Sequence, residues 1–108
     1  MVDSSNGSVM SEEILSLAVL EAFPGKEDDL IGVLREFYSM MQRKGYSHDT
    51  LHRDTAHPER FLHLRRWKSE EMKSEAQIDP EVHQYWQRLP ELCSIPRVYE
   101  KLETVFEN

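Results

Sequence analysis

The feature that most constrains the fold is a ten-residue apolar run near the start of the chain, Ile14–Phe23, in which Glu21 is the single charged residue. The run stops at Pro24 and Gly25, a pair that interrupts regular structure. An apolar run of this length is typical of a central strand covered on both faces, although its alanines and leucines also allow a short buried helix. The proline–glycine stop and the helical pattern that follows favour a strand over Ile14–Phe23.

A long amphipathic helix is predicted directly after this strand, over Glu27–Lys44. Its apolar stripe consists of residues spaced by four, three and four, widened by two neighbours: Leu30, Leu34, Phe37 and Met41, with Ile31 and Tyr38. Acidic residues open the segment and Arg43 and Lys44 close it, which suits the helix dipole at both ends. Gly45 supplies a residue that readily adopts the left-handed conformation that ends a helix.

Two strands and a short helix are predicted next. The strands, Tyr46–Arg53 and Arg60–Trp67, are separated by a segment with aspartate and proline that is typical of a long hairpin loop. Ser69 then begins a helix, because it is a good cap and two glutamates follow it directly.

The last part of the chain predicts one more helix and one more strand. Asp79 caps the helix and Pro80 takes its first helical position. Pro90 and Pro96 bracket a loop, and Arg97–Phe106 forms the final strand.

The predicted order of elements is strand, helix, strand, strand, helix, strand. This is the ferredoxin-like β-α-β-β-α-β arrangement, an α+β fold with one antiparallel sheet and its helices on one face. Residues 1–11 are read as a flexible tail and residues 12–108 as the domain. Because leucine and valine occupy both faces of the first strand, the sheet face without helices is expected to meet a second copy, which predicts a homodimer.

Composition narrows the class of protein. A chain of 108 residues suits one domain, and its 13 basic against 20 acidic residues give a formal net charge of −7, which argues against binding nucleic acid. No stretch is apolar enough to cross a membrane, and the polar start of the chain does not resemble a signal peptide. The single cysteine, Cys93, excludes an internal disulfide framework and is read as a buried thiol. A cytoplasmic location is the expectation.

Several short motifs, in this order, resemble the antibiotic biosynthesis monooxygenase domain. They are the strand ending at Pro24–Glu27, the long helix closing at Gly45–Tyr46, the strand ending at Trp67–Glu71, and the helix opened by Asp79–Val82. The likeness covers Leu15–Phe106. It implies ferredoxin-like subunits that pair their sheets as a dimeric α/β barrel, with a cavity between the sheet and the helices of each subunit.

The resemblance also implies a choice of chemistry, because some members oxygenate phenolic polyketides or quinols without metal or flavin, some degrade haem, and others have no known reaction. The haem-degrading branch uses an asparagine, a tryptophan and a histidine at positions that fall here on Ala18, Ala76 and Trp86. Alanine and tryptophan cannot ligate iron, so haem degradation is disfavoured.

The candidate catalytic residues lie on the strand Arg60–Trp67. The oxygenating branch has an amide four residues before its strand tryptophan, and here that position is His63. A neutral histidine is a suitable base for a phenolic substrate, and Arg65 is placed to stabilise the resulting oxyanion. Alternation along the strand puts both on the face of Trp67. A dimer-interface position, or pairing with Asp49 across the hairpin, is the alternative reading of His63 and Arg65.

The remaining candidates are aromatic residues and histidines. Trp67, Trp86 and Phe37 are the expected substrate-binding residues. A metal site from His48, His52 and His63 requires a hairpin register that the loop length leaves open, and no familiar ligand spacing supports it, so no metal is expected. His57 and His83 are expected to face solvent.

The sequence therefore predicts a monooxygenase that needs no cofactor and oxidises a phenolic, quinol or polyketide-like small molecule with oxygen. The alternative is a non-catalytic dimer of the same fold that binds a small ligand.

Overall fold

The computed structural model describes residues 14–108, which contain one four-stranded antiparallel sheet. The elements in chain order are β1 (Ile14–Ala22), α1 (Glu27–Arg43), β2 (Ser47–Arg53), β3 (Arg60–Trp67), α2 (Glu70–Gln77), α3 (Pro80–Arg88), a 3₁₀ turn (Leu89–Glu91) and β4 (Cys93–Leu102). The strand order in the sheet is β2-β3-β1-β4. This confirms the ferredoxin-like α+β arrangement, and the second crossover contains both helices whose starts were predicted at Ser69 and Asp79. The predicted tail, residues 1–11, lies outside the described residues.

The core lies between the sheet and α1, and the predicted stripe of α1 forms much of it. Leu30, Leu34, Phe37 and Met41 are all buried. After the helix, Gly45 adopts a φ of 76°, a left-handed conformation that favours glycine. The chain can therefore turn at once from α1 into β2.

The last strand differs from the prediction. It was predicted over Arg97–Phe106, but it begins at Cys93 and ends at Leu102, and Phe106 lies beyond it and is exposed. Pro96, which was read as the end of a loop, lies within this strand. The strand tolerates a proline because β4 is at the edge of the sheet and Pro96 lies where the β1–β4 register shifts.

The two faces of the sheet differ in burial. On the helix side of β1, Ala18 and Leu20 are buried in the core. On the other side, Leu17 and its register partner Leu64 on β3 are only partly buried. A set of aliphatic side chains on that face therefore keeps contact with solvent within the described chain.

The expectation of a buried thiol is also met. Cys93 is a buried free thiol, and burial raises its pKa to about 11. Among the helices of residues 14–108, none is long and apolar enough to cross a membrane.

Candidate active site

A cavity of ≈ 700 Å³ lies between the helix side of the sheet and the helices α2 and α3. Most of its wall is apolar, so it suits a small molecule with a large hydrophobic surface. Its sheet side includes Ser16, Ala18, His63, Arg65, Trp67, Val98 and Glu100, and its helix side includes Lys73, Ala76, Gln77, Val82, His83, Trp86 and Gln87.

Strand β3 supplies the polar centre of this cavity. The side chains of His63, Arg65 and Trp67 point to the same side of the strand and all three line the cavity, as alternation predicts. His63 is 4% exposed and Arg65 is 2% exposed, so both are buried groups. Their chemical roles remain predictions, but the structure brings them together.

Arg65 is held rigidly by a buried carboxylate. Its Nε and Nη2 atoms donate hydrogen bonds of 2.8 and 3.1 Å to the two oxygens of Asp49, whose side chain is fully buried. The guanidinium also lies over the rings of Phe37 and Trp67, at 4.7 and 5.3 Å from their centroids. The sequence left open a pairing with Asp49, and the structure shows that Arg65 makes it. The Asp49 carboxylate therefore compensates the positive charge of Arg65 before any ligand binds.

His63 has a different partner, Tyr38 of helix α1. The Tyr38 hydroxyl lies 2.6 Å from Nδ1 of His63, and the two rings stack with their centroids 5.3 Å apart. Burial, with a smaller contribution from the Arg65 charge, lowers the pKa of His63 to about 3. The imidazole is therefore neutral at physiological pH.

Two hydrogen bonds fix the indole of Trp67 against the sheet. Its Nε1–H donates to the Ser16 hydroxyl at 2.9 Å, and that hydroxyl donates to the backbone carbonyl of Glu100 at 2.7 Å. This relay joins strands β3, β1 and β4 beside the cavity, so the ring has little freedom to rotate.

Trp86 and Phe37, the other two predicted substrate contacts, lie at different depths. Trp86 lines the cavity and is 36% exposed, with its ring edge-on to His63 at 6.2 Å. Phe37 is not among the lining residues, because it is fully buried in the layer behind them. It packs against Trp86 and stacks on Tyr85, at centroid distances of 5.6 and 4.9 Å. In this position it supports the cavity wall from behind.

The hairpin register resolves the arrangement of the three histidines. His63 pairs with Leu51, whereas His48 pairs with Arg66 and His52 with Leu62, so His48 and His52 lie on the opposite face of the sheet. Within residues 14–108 no group of three side chains is arranged to hold a metal ion. His57 and His83 are exposed, as predicted, but His83 also borders the cavity.

The positions that correspond to the haem-contacting residues of the haem-degrading branch all belong to the cavity wall. They hold Ala18, Ala76 and Trp86, none of which can ligate iron. The wall at these points is apolar, which suits an organic ring.

Sequence reasoning missed two residues that organise the site. Tyr38 was read only as part of the apolar stripe of α1, and Ser16 was not singled out. The hydroxyl of Tyr38 bonds to a residue 25 positions away in the chain, and that of Ser16 to a residue 51 positions away. Local periodicity therefore carries no signal for these contacts.

Comparison with known proteins places these features in one family. The family model described as "Antibiotic biosynthesis monooxygenase" matches residues 14–89. Comparison with curated proteins gives no match.

Solved structures of low sequence identity share the fold. SnoaB from Streptomyces nogalater, described as a cofactor-independent oxygenase and solved as a mutant, is 14% identical with a TM-score of 0.73, covering 89% of this chain and 99% of its own. Rv0793 from Mycobacterium tuberculosis is 16% identical with a TM-score of 0.74, covering 88% and 97%. PA3566 from Pseudomonas aeruginosa is 18% identical with a TM-score of 0.71, covering 90% and 98%. With most of the domain matched by the family model, this chain belongs to the antibiotic biosynthesis monooxygenase family.

Proposed function

We propose that this protein is a monooxygenase that uses molecular oxygen without a cofactor and acts on a phenolic or quinol-like aromatic molecule. The observation that carries the proposal is the position of a buried, neutral His63 beside Arg65 and Trp67 in a mostly apolar cavity of ≈ 700 Å³. Family membership and the fold shared with SnoaB, a cofactor-independent oxygenase, support it.

The chemistry requires a substrate that supplies its own electrons. Loss of a proton from a phenol or an activated methylene gives an electron-rich anion, and this anion transfers an electron to oxygen. When a methylene carbon becomes a carbonyl, one atom of O₂ enters the product and the other leaves as water, so atoms and electrons balance. The protein must bind the anion, orient it and exclude bulk water.

The cavity residues suit these tasks. We assign ring contacts to Trp67 and Trp86, whose faces and edges border the cavity. The Arg65 guanidinium would attract the anionic oxygen of the substrate from a fixed position, because its two hydrogen bonds to Asp49 hold it in place. His63 would contact the reacting oxygen of the substrate. Its pKa of about 3 makes it a weak proton acceptor, so we assign it a hydrogen bond to the anionic oxygen of a substrate that gives its proton to solvent.

We further propose that the protein acts as a homodimer in the cytoplasm. The sheet face opposite the helices carries aliphatic residues in register, among them Leu17 and Leu64, that are only partly buried in one chain. A second copy that packs its own sheet on this face would remove them from water. The free thiol of Cys93 is compatible with a reducing compartment.

Oxygen consumption tests the proposed activity. The protein is incubated with a panel that includes 1,4-naphthalenediol and 1,8-dihydroxyanthrone, with heat-denatured protein as the control for autoxidation. We expect protein-dependent oxygen uptake, incorporation of a single atom from ¹⁸O₂ and no stoichiometric hydrogen peroxide. Uptake that yields peroxide without ¹⁸O in the product contradicts the proposal.

A non-catalytic ligand-binding role is the second candidate. The observation that favours it is that the two polar groups at the centre of the cavity are already satisfied, Arg65 by Asp49 and His63 by Tyr38. Saturable binding of these compounds without turnover would support this role. A separate titration with haem that gives a stoichiometric Soret band would identify a haem-binding protein instead.

A further inference from the structure

We propose that Tyr38 fixes His63 in the tautomer that carries its proton on Nε2, so that His63 presents a neutral N–H donor to an oxygen atom of the ligand. The role of Tyr38 is positioning, since it acts through His63. The inference applies equally to an oxygenase and to a ligand-binding protein, because it concerns how the cavity recognises a ligand.

The hydrogen-bond distances around Tyr38 determine where its proton lies. The hydroxyl has two acceptors within reach, Nδ1 of His63 at 2.6 Å and the backbone carbonyl of Thr50 at 3.5 Å. A hydroxyl has one proton to donate, and the shorter contact is a strong hydrogen bond whereas the longer one exceeds the usual range. The Tyr38 hydroxyl is therefore the donor to Nδ1, which leaves the ring proton of His63 on Nε2.

The opposite arrangement is less favourable on the same distances. If Nδ1 carried the proton and donated to Tyr38, the Tyr38 hydroxyl would have to donate to Thr50 across 3.5 Å. An N–H donor would then approach its acceptor to 2.6 Å, which is shorter than the roughly 2.7–3.2 Å usual for an N–H donor, whereas O–H donors commonly reach this distance. Burial and the nearby charge of Asp49 raise the pKa of Tyr38, so its phenol keeps the proton that it donates.

The second nitrogen of the ring is the one open to a ligand. The structure describes a hydrogen bond for His63 at Nδ1, and within residues 14–108 no partner is found at Nε2. Every fully buried side-chain nitrogen or oxygen in this part of the chain does have a partner. Nε2 is therefore accessible, and the cavity that His63 lines is the space it faces.

The surroundings keep the ring from gaining a second proton. Arg65 lies two residues from His63 on the same face of β3. The Asp49 carboxylate faces the same region, but it is bound to Arg65. The pKa of His63, lowered by burial and by the Arg65 charge, is consistent with a ring that stays neutral. A neutral imidazole with its N–H aimed at a ligand can polarise a carbonyl or stabilise an oxyanion.

This tautomer defines the chemical class of the recognised group. Nε2–H requires an acceptor, so the cavity should favour a quinone carbonyl or a phenolate oxygen over an aromatic ring that lacks oxygen. Loss of one such bond to an anionic oxygen should weaken binding about tenfold or more.

Nuclear magnetic resonance of ¹⁵N-histidine-labelled protein tests the tautomer directly. Long-range ¹H–¹⁵N spectra near pH 7, with the His63 signals assigned by their loss in His63→Gln, should show a protonated Nε2 and an unprotonated Nδ1. Addition of 2-hydroxy-1,4-naphthoquinone should shift the Nε2 resonance. An unprotonated Nε2 in the unmodified protein overturns the proposal, whatever the oxygenase assay gives.

Matched tyrosine variants test the part played by Tyr38. Tyr38→Phe removes the hydroxyl, so we expect the two nitrogen signals of His63 to move towards averaged values and naphthoquinone binding to weaken about tenfold. Tyr85→Phe is the control, because Tyr85 packs on Phe37 near the site but makes no contact with His63 that the structure describes. Equal spectra for the unmodified protein and Tyr38→Phe contradict a positioning role for Tyr38.

Discussion

Arg65 lies directly opposite Asp49 in the β2–β3 ladder, and its guanidinium binds both carboxylate oxygens of that residue. The pair is almost completely removed from solvent. A buried charge without its partner is strongly unfavourable, so each residue depends on the other. The β2–β3 register, which places Asp49 and Arg65 opposite each other, therefore determines the polar centre of the cavity.

Removing either partner of this pair should destabilise the fold. We expect Arg65→Met and Asp49→Asn each to lower the free energy of unfolding by about 3–5 kcal/mol, as found when one charge of a buried pair is deleted. Urea denaturation measures the loss. Arg65→Lys keeps the charge without the two-pronged contact and should give an intermediate value.

Two comparisons make that prediction specific. The double variant with Asp49→Leu and Arg65→Met should lose less than the sum of the single losses. Arg60→Met, on the same strand but in a half-exposed pair with Glu21, should change stability by about 0–1 kcal/mol. Equal losses at Arg60 and Arg65 would argue against a special role for burial.

His63→Ala should lower oxygenase turnover about 10²-fold or more on any substrate that the unmodified protein oxidises. Among residues 14–108, His63 is the one strand histidine that lines the cavity, and the variant removes its imidazole. Initial rates of oxygen uptake measure the effect. His57→Ala, in the exposed β2–β3 loop, is the matched control and should keep full activity. Full activity in His63→Ala would place the site elsewhere.

The neutral state of His63 should make stability fall in mild acid. Its pKa is lowered to about 3 in the folded chain, whereas an unfolded histidine titrates near 6.5. Between these values the unfolded chain binds one more proton, so the free energy of unfolding decreases as the pH drops. The slope from this residue should reach about 1.4 kcal/mol per pH unit.

Urea titrations between about pH 7 and pH 4 measure this slope. His63→Gln cannot titrate, so its stability should depend on pH less steeply over that window. Asp79 acts in a lower window, because hydrogen bonds from Tyr46, Lys44 and the Glu81 backbone N–H lower its pKa to about 2. Its contribution is present above about pH 4 and is lost as the pH falls towards 2. Identical slopes for the two proteins above pH 4 would contradict a buried neutral His63.

Leu64→Glu should convert a dimer of 12.8 kDa subunits into monomers at micromolar concentration, because it places a charge on the partly buried aliphatic face of the sheet. Sedimentation velocity measures the change. Ser39→Glu adds the same charge on the exposed side of α1 and should leave the dimer intact. A monomeric unmodified protein would contradict the proposed assembly.

The parts of the fold that were predicted correctly are those in which local pattern and tertiary burial agree. The spacing of Leu30, Leu34 and Phe37 predicted the buried side of α1, and the caps at Ser69 and Asp79 predicted two helix starts, since each side chain accepts a hydrogen bond from the helix backbone. Pro96 misled the prediction because a proline is judged as a breaker from sequence, whereas its tolerance depends on edge position in the sheet.

The site was predicted less completely, because its contacts depend on register and on packing between distant elements. Alternation alone placed His63, Arg65 and Trp67 on one side. The choice of partner for Arg65 needed the β2–β3 register, and the partner of His63 came from a helix packed across the sheet. Phe37 has the residue type of a ligand contact, but only the three-dimensional structure separates a lining residue from the layer behind it.

The place of β1 at the centre of the sheet has a consequence for how the domain is made. Both neighbours of β1 come later in the chain, β3 at Arg60–Trp67 and β4 at Cys93–Leu102. During synthesis the apolar strand Ile14–Ala22 is made before either neighbour, and pairing over such distances along the chain is slow. Folding should therefore wait until β4 has been made, and nascent chains that stop before Cys93 should remain sensitive to protease and be bound by chaperones.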